Sequence, residues 1–170
     1  DAMAYLRRAF ERKAEEFADV LKMGRTQLQD AVPMTLGDSF AGYASMVSRL
    51  KKRLEKAVME MHEINLGATA IGTGINASQY YEDHIAGQLS KLFGFELKQA
   101  DDLFDATENL DSFVEVSGAL KACAISLSKM SNDLRLLSSG PRCGFAEINL
   151  PAKQNGSSIM PGKVNPVIPE

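Results

Sequence analysis

Two adjacent hydroxyls, an ammonium and an amide crowd into one glycine-flanked run, Gly156-Ser157-Ser158-Ile159-Met160-Pro161-Gly162-Lys163-Val164-Asn165-Pro166. Such a loop exposes backbone N–H groups, which bind anions. Lys163 adds a positive charge and Asn165 a directional donor, a set that suits a carboxylate. Ser157 and Ser158 offer one hydroxyl as donor and one as base or nucleophile. A serine base needs its alkoxide stabilised by N–H groups and a nearby cation. A flexible Ser/Gly linker has a similar composition. Ile159-Met160-Pro161 and Asn165-Pro166 argue against a linker, which rarely carries a fixed apolar anchor, but the residues alone leave both readings open.

Two nucleotide readings fail. In a phosphate loop Pro161 would occupy the place of the second glycine, and Val164 the place of the magnesium-binding Ser or Thr. Gly72-Thr73-Gly74-Ile75-Asn76-Ala77 fits a dinucleotide fingerprint on paper, but it follows a long helix rather than a strand. A second polar segment, Gly24-Arg25-Thr26-Gln27-Leu28-Gln29-Asp30-Ala31-Val32-Pro33, either closes a site or caps a helix starting near Pro33. His62 and His84 read as surface residues.

These residues need elements to hold them, and helical periodicity dominates the chain. Phe40, Tyr43, Val47, Leu50, Leu54, Ala57, Met61 and Ile64 alternate steps of three and four, the seam of a left-handed bundle. Phe113, Val116, Leu120, Cys123, Leu127, Met130, Leu134 and Leu137 repeat it. Leu6, Phe10, Ala14, Phe17 and Leu21 mark a third helix, and a shorter one runs from an N-cap at Ser78 to a stop at Gly94. No strand-rich segment stands out. The expected fold is all-α, a bundle left incomplete, whose seams are covered by missing helices, by other subunits or by both; a self-contained small bundle is the alternative. Three segments interrupt the helices: Met23–Pro33, Gly67–Ala77 and Ser138–Pro166. The last is long for a loop and includes the turn signal Asn155-Gly156. Its glycines give it the character of an active-site lid.

Composition narrows the class. The 170 residues carry a formal net charge of −3, which gives no basic footprint for nucleic acid. The apolar runs are too short to span a bilayer, and no signal-peptide pattern opens the chain. With only two cysteines, Cys123 and Cys143, a reducing compartment is expected, and no Cys/His spacing suits zinc. No cofactor and no metal is expected. The start at Asp1, already in helical pattern, and the stop at Glu170 suggest a piece of a longer protein.

Four segments resemble the fumarase/aspartase superfamily of lyases. Gly156 to Pro166 resembles its signature loop, and Gly24 to Pro33 with Met34-Thr35-Leu36-Gly37 its second signature. Gly67 to Asn76 and Asn132 to Arg142 also look like family segments, in the family's order, so the resemblance covers nearly the whole chain. Arg25-Thr26-Gln27-Leu28-Gln29-Asp30 is similar to the aspartase branch, since fumarases typically carry His at the place of Gln27 and Thr at that of Leu28. Glu147-Ile148-Asn149-Leu150-Pro151 leans the same way.

The resemblance implies reversible deamination of L-aspartate to fumarate and ammonia in the cytoplasm. It makes Ser157 the catalytic base, removing a proton from the carbon beside the side-chain carboxylate to give an aci-carboxylate. It makes Ser158, Lys163, Asn165 and Thr26 carboxylate contacts, and puts Gln27 near the leaving group. Glu170 matches the acidic partner of the fumarases' His; with Gln27 here that pair is absent, and Glu170 is carried over as a supporting residue only. The resemblance also implies a homotetramer whose sites are shared between subunits. Residues 1–170 would then form part of the central helical domain, long antiparallel helices of the family's central bundle, incomplete in this chain and without the N-terminal and C-terminal domains, with 138–166 as the active-site loop region. The family's first signature is missing, so the chain alone is expected to be inactive. The alternatives are a fumarate hydratase, converting fumarate to L-malate, and a non-catalytic helical oligomerisation module.

Overall fold

A computed structural model describes residues 2–154 and 156–170. Asp1 and Asn155 lie outside the described residues, and with Asn155 the turn expected at Asn155–Gly156. In chain order the elements are α1 (Ala2–Glu16), β1 (Leu21–Thr26), β2 (Gln29–Thr35), α2 (Leu36–Met59), a 3₁₀ turn (Glu60–His62), β3 (Glu63–Ile64), α3 (Gln79–Phe93), β4 (Lys98–Gln99), α4 (Asp105–Glu108) and α5 (Asp111–Leu137). The fold is mostly helical, as expected, and divides into two compact units, Asp1–Leu50 with Ala122–Glu170, and Lys51–Lys121.

The first unit carries every candidate site residue. Its core is Phe10 of α1, Leu36, Phe40, Ala44 and Val47 of α2, and Met130 of α5. The α2 residues follow the three-and-four spacing that keeps one helix face inward. Val47 has no exposed surface, and burying such a side chain contributes roughly 1.5–3 kcal/mol. Phe40 meets Tyr43 edge-on with centroids 5.9 Å apart. Tyr43 of α2 also donates to Asp133 of α5 at 3.1 Å. The start of α2 thus lies beside the end of α5, the antiparallel arrangement that the resemblance implies.

The main departure from the sequence reading lies between α1 and α2. The third helix does not continue to Leu21; it ends at Glu16, and Leu21 opens an antiparallel hairpin. The chain reverses after Phe17, whose carbonyl accepts from Gly37 N at 2.9 Å, while Val20 O accepts from Leu36 N at 2.7 Å. Glycine is needed at 37 for this approach, because a Cβ there would lie 2.6 Å from Ala14 O and 2.9 Å from Ala18 Cα. Pro33 sits in β2 rather than in a first helical turn. The cap of α2 is instead reciprocal: Asp38 N–H donates to Thr35 Oγ1 at 3.0 Å and Thr35 N–H to Asp38 Oδ2 at 2.9 Å, a capping box. The Thr35 N–H first, and then the Thr35 hydroxyl, hold the Asp38 carboxyl below its usual range.

In the second unit α2 stops at Met59 rather than at Ile64, because Glu63 and Ile64 leave the helix to pair in parallel with Lys98 and Gln99. The expected ends of α3 hold. Ser78 Oγ accepts from Tyr81 N–H at 3.2 Å, and Gly94 takes the left-handed conformation with φ 76°. Along α5, Phe113, Val114, Leu120 and Ile125 remain exposed. Of these, Phe113 and Leu120 belong to the expected seam, which among the described residues is left uncovered there.

Candidate active site

The closing loop is held by its own hydrogen bonds. Asn165 Nδ2–H donates to Gly156 O at 2.8 Å and ties the two ends together. Gly156 must be glycine, since a Cβ would lie 2.2 Å from Lys163 O. The turn closes where Lys163 N–H donates to Met160 O at 3.2 Å, with Gly162 left-handed at φ 78°. Inside it, Ser157 Oγ accepts from the N–H groups of Ile159 at 3.3 Å and Met160 at 3.1 Å. Two main-chain donors therefore converge on one half-buried hydroxyl. That is the environment an alkoxide requires. Ile159 and Met160 are themselves exposed, so the apolar anchor expected from Ile159-Met160-Pro161 does not engage this chain. Hydrogen bonding, rather than burial, distinguishes the loop from a linker.

Thr26 and Gln27 stand at the tip of the hairpin. Thr26 pairs with Gln29, leaving Gln27 and Leu28 as a two-residue connection. Both are left-handed, with φ 50° and 64°. A two-residue hairpin favours this geometry because it matches the strand twist, but normally fills it with Asn and Gly. Here two side chains are displayed at a backbone cost of order 1–3 kcal/mol each.

Beneath the tip lies a charge cluster. The Arg25 guanidinium donates to Glu147 Oε1, also meets Asp30 at 3.3 Å, and covers the Phe145 ring at 4.2 Å from its centroid. Lys22 Nζ approaches the second Glu147 oxygen at 3.3 Å. The Glu147 hydrogen bond, chiefly, holds the Arg25 guanidinium charged beyond its already high range. Lys22, Arg25 and Glu147 are all largely shielded from solvent, with side-chain exposures of 11%, 19% and 15%. The Glu147 main chain is fixed in turn, its N–H donating to Leu137 O at 2.9 Å at the end of α5.

A cleft of about 460 Å³ beside the cluster is lined by Arg25, Gln27, Tyr43, Lys129, Asp133 and Phe145, among others. Asp133 pairs with Lys129 and accepts from Tyr43. Burial first, and then the Asp133 charge, push the Tyr43 phenol far above its ordinary range, so it acts as a fixed donor. A separate cleft of about 340 Å³ borders the closing loop and includes Lys163 and Asn149 in its lining.

The predicted residues thus form two groups. Ser157, Ser158, Lys163 and Asn165 share the closing loop, with Ser158 and Lys163 exposed and Asn165 half-buried. Thr26 and Gln27 share the hairpin tip, also exposed. Among the described residues no hydrogen bond or ion pair joins the groups. Glu170 belongs to neither; it faces Arg135 of α5 at 3.5 Å. Among the described residues no cluster of metal-ligating side chains occurs. Sequence reasoning gave no role to Arg25 or Glu147. The available signal was that Glu147 is the only charge between Cys143 and Ala152.

The closed serine loop and the polar hairpin, on a mostly helical frame, are the segments that resemble the signatures of the fumarase/aspartase superfamily. The chain belongs to that superfamily: a protein-family model described as Lyase matches residues 1–170. Among its relatives, the aspartate ammonia-lyase of Escherichia coli (strain K12) is 54% identical over 170 residues, covering 100% of this chain and 36% of that protein. The aspartate ammonia-lyase of Helicobacter pylori (strain ATCC 700392 / 26695) is 57% identical over 168 residues, 99% of this chain and 36% of that protein. A crystal structure of a fumarate lyase:delta crystallin from Brucella melitensis bound to cobalt superposes with a TM-score of 0.94 at 55% identity, covering 99% of this chain and 36% of that one. A class II fumarase from Schistosoma mansoni reaches the same TM-score of 0.94 at 35% identity, covering 98% of this chain and 38% of that one. The chain therefore spans little more than a third of the length of these relatives.

Proposed function

We propose that this chain supplies part of the active site of an enzyme that reversibly deaminates L-aspartate to fumarate and ammonia. The observation that carries the reading is the Ser157 hydroxyl accepting from the Ile159 and Met160 N–H groups. As the alkoxide, Ser157 takes the proton on the carbon beside the side-chain carboxylate. The C–H electron pair moves into that carboxylate, giving the aci-carboxylate. It then returns to form the carbon–carbon double bond as the C–N bond breaks and its electrons leave with ammonia. The proton stays on Ser157 until solvent removes it. Ser158 supports the doubly charged intermediate, a kind of donor worth about 10²–10³ in rate. Lys163, Asn165 and Thr26 hold the carboxylates, and Gln27 lies by the departing nitrogen.

Gln27 and Leu28 favour aspartate over malate, and so does the identity of 54% to an aspartate ammonia-lyase. The two separate residue groups fit a homotetramer in which the hairpin of one copy faces the closing loop of another. The exposed apolar side chains of α5 fit the same assembly. The reading takes the protein to work in the cytoplasm; among the described residues no helix is long and apolar enough to cross a membrane.

Fumarate absorbance provides the test. A protein of the relatives' full length carrying this sequence is expected to form fumarate from aspartate. Malate consumption without aspartate turnover would replace the reading by a fumarate hydratase. The chain by itself, which spans little more than a third of the relatives' length, is expected to show no turnover, and fumarate formation by it would refute that.

A further inference from the structure

We infer that Arg25 and Glu147 are positioning residues that set substrate affinity by fixing the hairpin tip. The inference rests on the reading of Thr26 and Gln27 as substrate contacts and assigns the group that holds them. The strained turn at Gln27–Leu28 contains no glycine, so its shape must be imposed from outside. Arg25, next to Thr26, is the place where that happens. Its guanidinium reaches Asp30 across the hairpin at 3.3 Å, Glu147 beneath, and the Phe145 ring at 4.2 Å. Both Phe145 and Glu147 lie on the segment leaving α5. That segment is tied down by Ala146 N–H to Ser139 O at 2.7 Å and Glu147 N–H to Leu137 O at 2.9 Å. The tip is thereby referenced to a long helix rather than to a free loop.

The ladder is irregular at the same place. The register slips between Met23 and Arg25, so strand pairing alone leaves the tip free to twist. A planar fork that meets two carboxylates and an aromatic face removes that freedom, which a lysine at 25 cannot do. Lys22, at 3.3 Å from the second Glu147 oxygen, completes a shielded group of two cations around one carboxylate, with the more exposed Asp30 at its edge. Neither Arg25 nor Glu147 is assigned contact with substrate.

The test compares Glu147→Gln, Arg25→Lys and the double variant Arg25→Met/Glu147→Met with the parent at the relatives' full length. Glu147→Gln is expected to raise KM for aspartate about tenfold while kcat changes less than about threefold, a loss of uniform binding. Arg25→Lys is expected to lie between it and the parent. Replacing a shielded ion pair by apolar side chains of similar volume is often neutral for stability. The double variant is therefore expected to recover the parental Tm but keep the raised KM. A purely structural role would bring KM back together with Tm, and that result overturns the inference. So does a Glu147→Gln variant with KM within about twofold of the parent. If the parent turns over malate instead, the same ratio is read with malate; if it turns over neither, it is read as the Kd for fumarate by calorimetry. Failure of the functional reading is thus visible in the parent, and failure of the positioning role only in the variants.

Discussion

Asn165 donates its side-chain amide to the carbonyl of Gly156 at 2.8 Å, so the residue proposed to grip a carboxylate also fastens the loop that carries the base. One N–H of the amide is committed to the loop and the other is left for substrate. Asn165→Asp turns this donor into an acceptor facing an acceptor, with its charge near the substrate carboxylate. At the relatives' full length, kcat/KM for aspartate is expected to fall about 10²-fold or more. A change of less than threefold would separate Asn165 from both tasks.

Ser157→Ala deletes the atom on which two main-chain N–H groups converge. Turnover is expected to drop to background while the assembly, measured by light scattering, and Tm stay with the parent. Ser158→Ala is expected to retain a residual rate, about 10²–10³ below the parent. Near-normal activity in Ser157→Ala would assign the base elsewhere.

Gly156→Ala separates loop geometry from chemistry, because it removes no functional group. The new methyl would meet Lys163 O at 2.2 Å. The loop must open, and Ser157, Lys163 and Asn165 move with it. Activity is expected to fall steeply with little change in Tm, since the loop buries little apolar surface. Parental kinetics in this variant would show that the loop adopts another shape during turnover.

The Asp38 cap predicts a pH dependence with a definite sign. Its carboxyl is held below the ordinary value of 3.8, mainly by the Thr35 N–H. Its contribution is complete above that unfolded value and is lost as pH falls through the lower folded one. In acid the parent should lose Tm more steeply than Asp38→Asn, and the two slopes should converge near neutrality. Thr35→Ala removes the other half of the box at about 0.5–2 kcal/mol. Equal acid slopes would mean that Asp38 titrates alike in the folded and unfolded chain.

The helices were legible because their burial is periodic. Phe40, Val47, Leu50 and Met130 sit inside as the spacing demands, and Ser78 and Gly94 end α3 for local reasons. The hairpin was not legible. Leu21 extends the spacing of Leu6, Phe10, Ala14 and Phe17, and no pattern reveals that Phe17 O will instead accept from Gly37. Nor does Gln27-Leu28 look like a turn, since its left-handed conformation is imposed by contacts made more than a hundred residues away. The closing loop was found by residue type, but not by its means of support. The expected apolar anchor at Ile159 and Met160 gave way to backbone donors on Ser157, a matter of geometry that composition does not encode.

The open face of α5 has a practical consequence. Phe113, Val114, Leu120 and Ile125 present an apolar stripe to water on a helix that ends beneath the hairpin. Where burial of such a stripe is supplied by other molecules, mass action enters the folding equilibrium. The thermal midpoint should then climb with protein concentration and sink on dilution, as a monomer with a finished surface would not. Assay concentration becomes a structural variable, and a rate lost on dilution would report dissociation rather than damage to the loop.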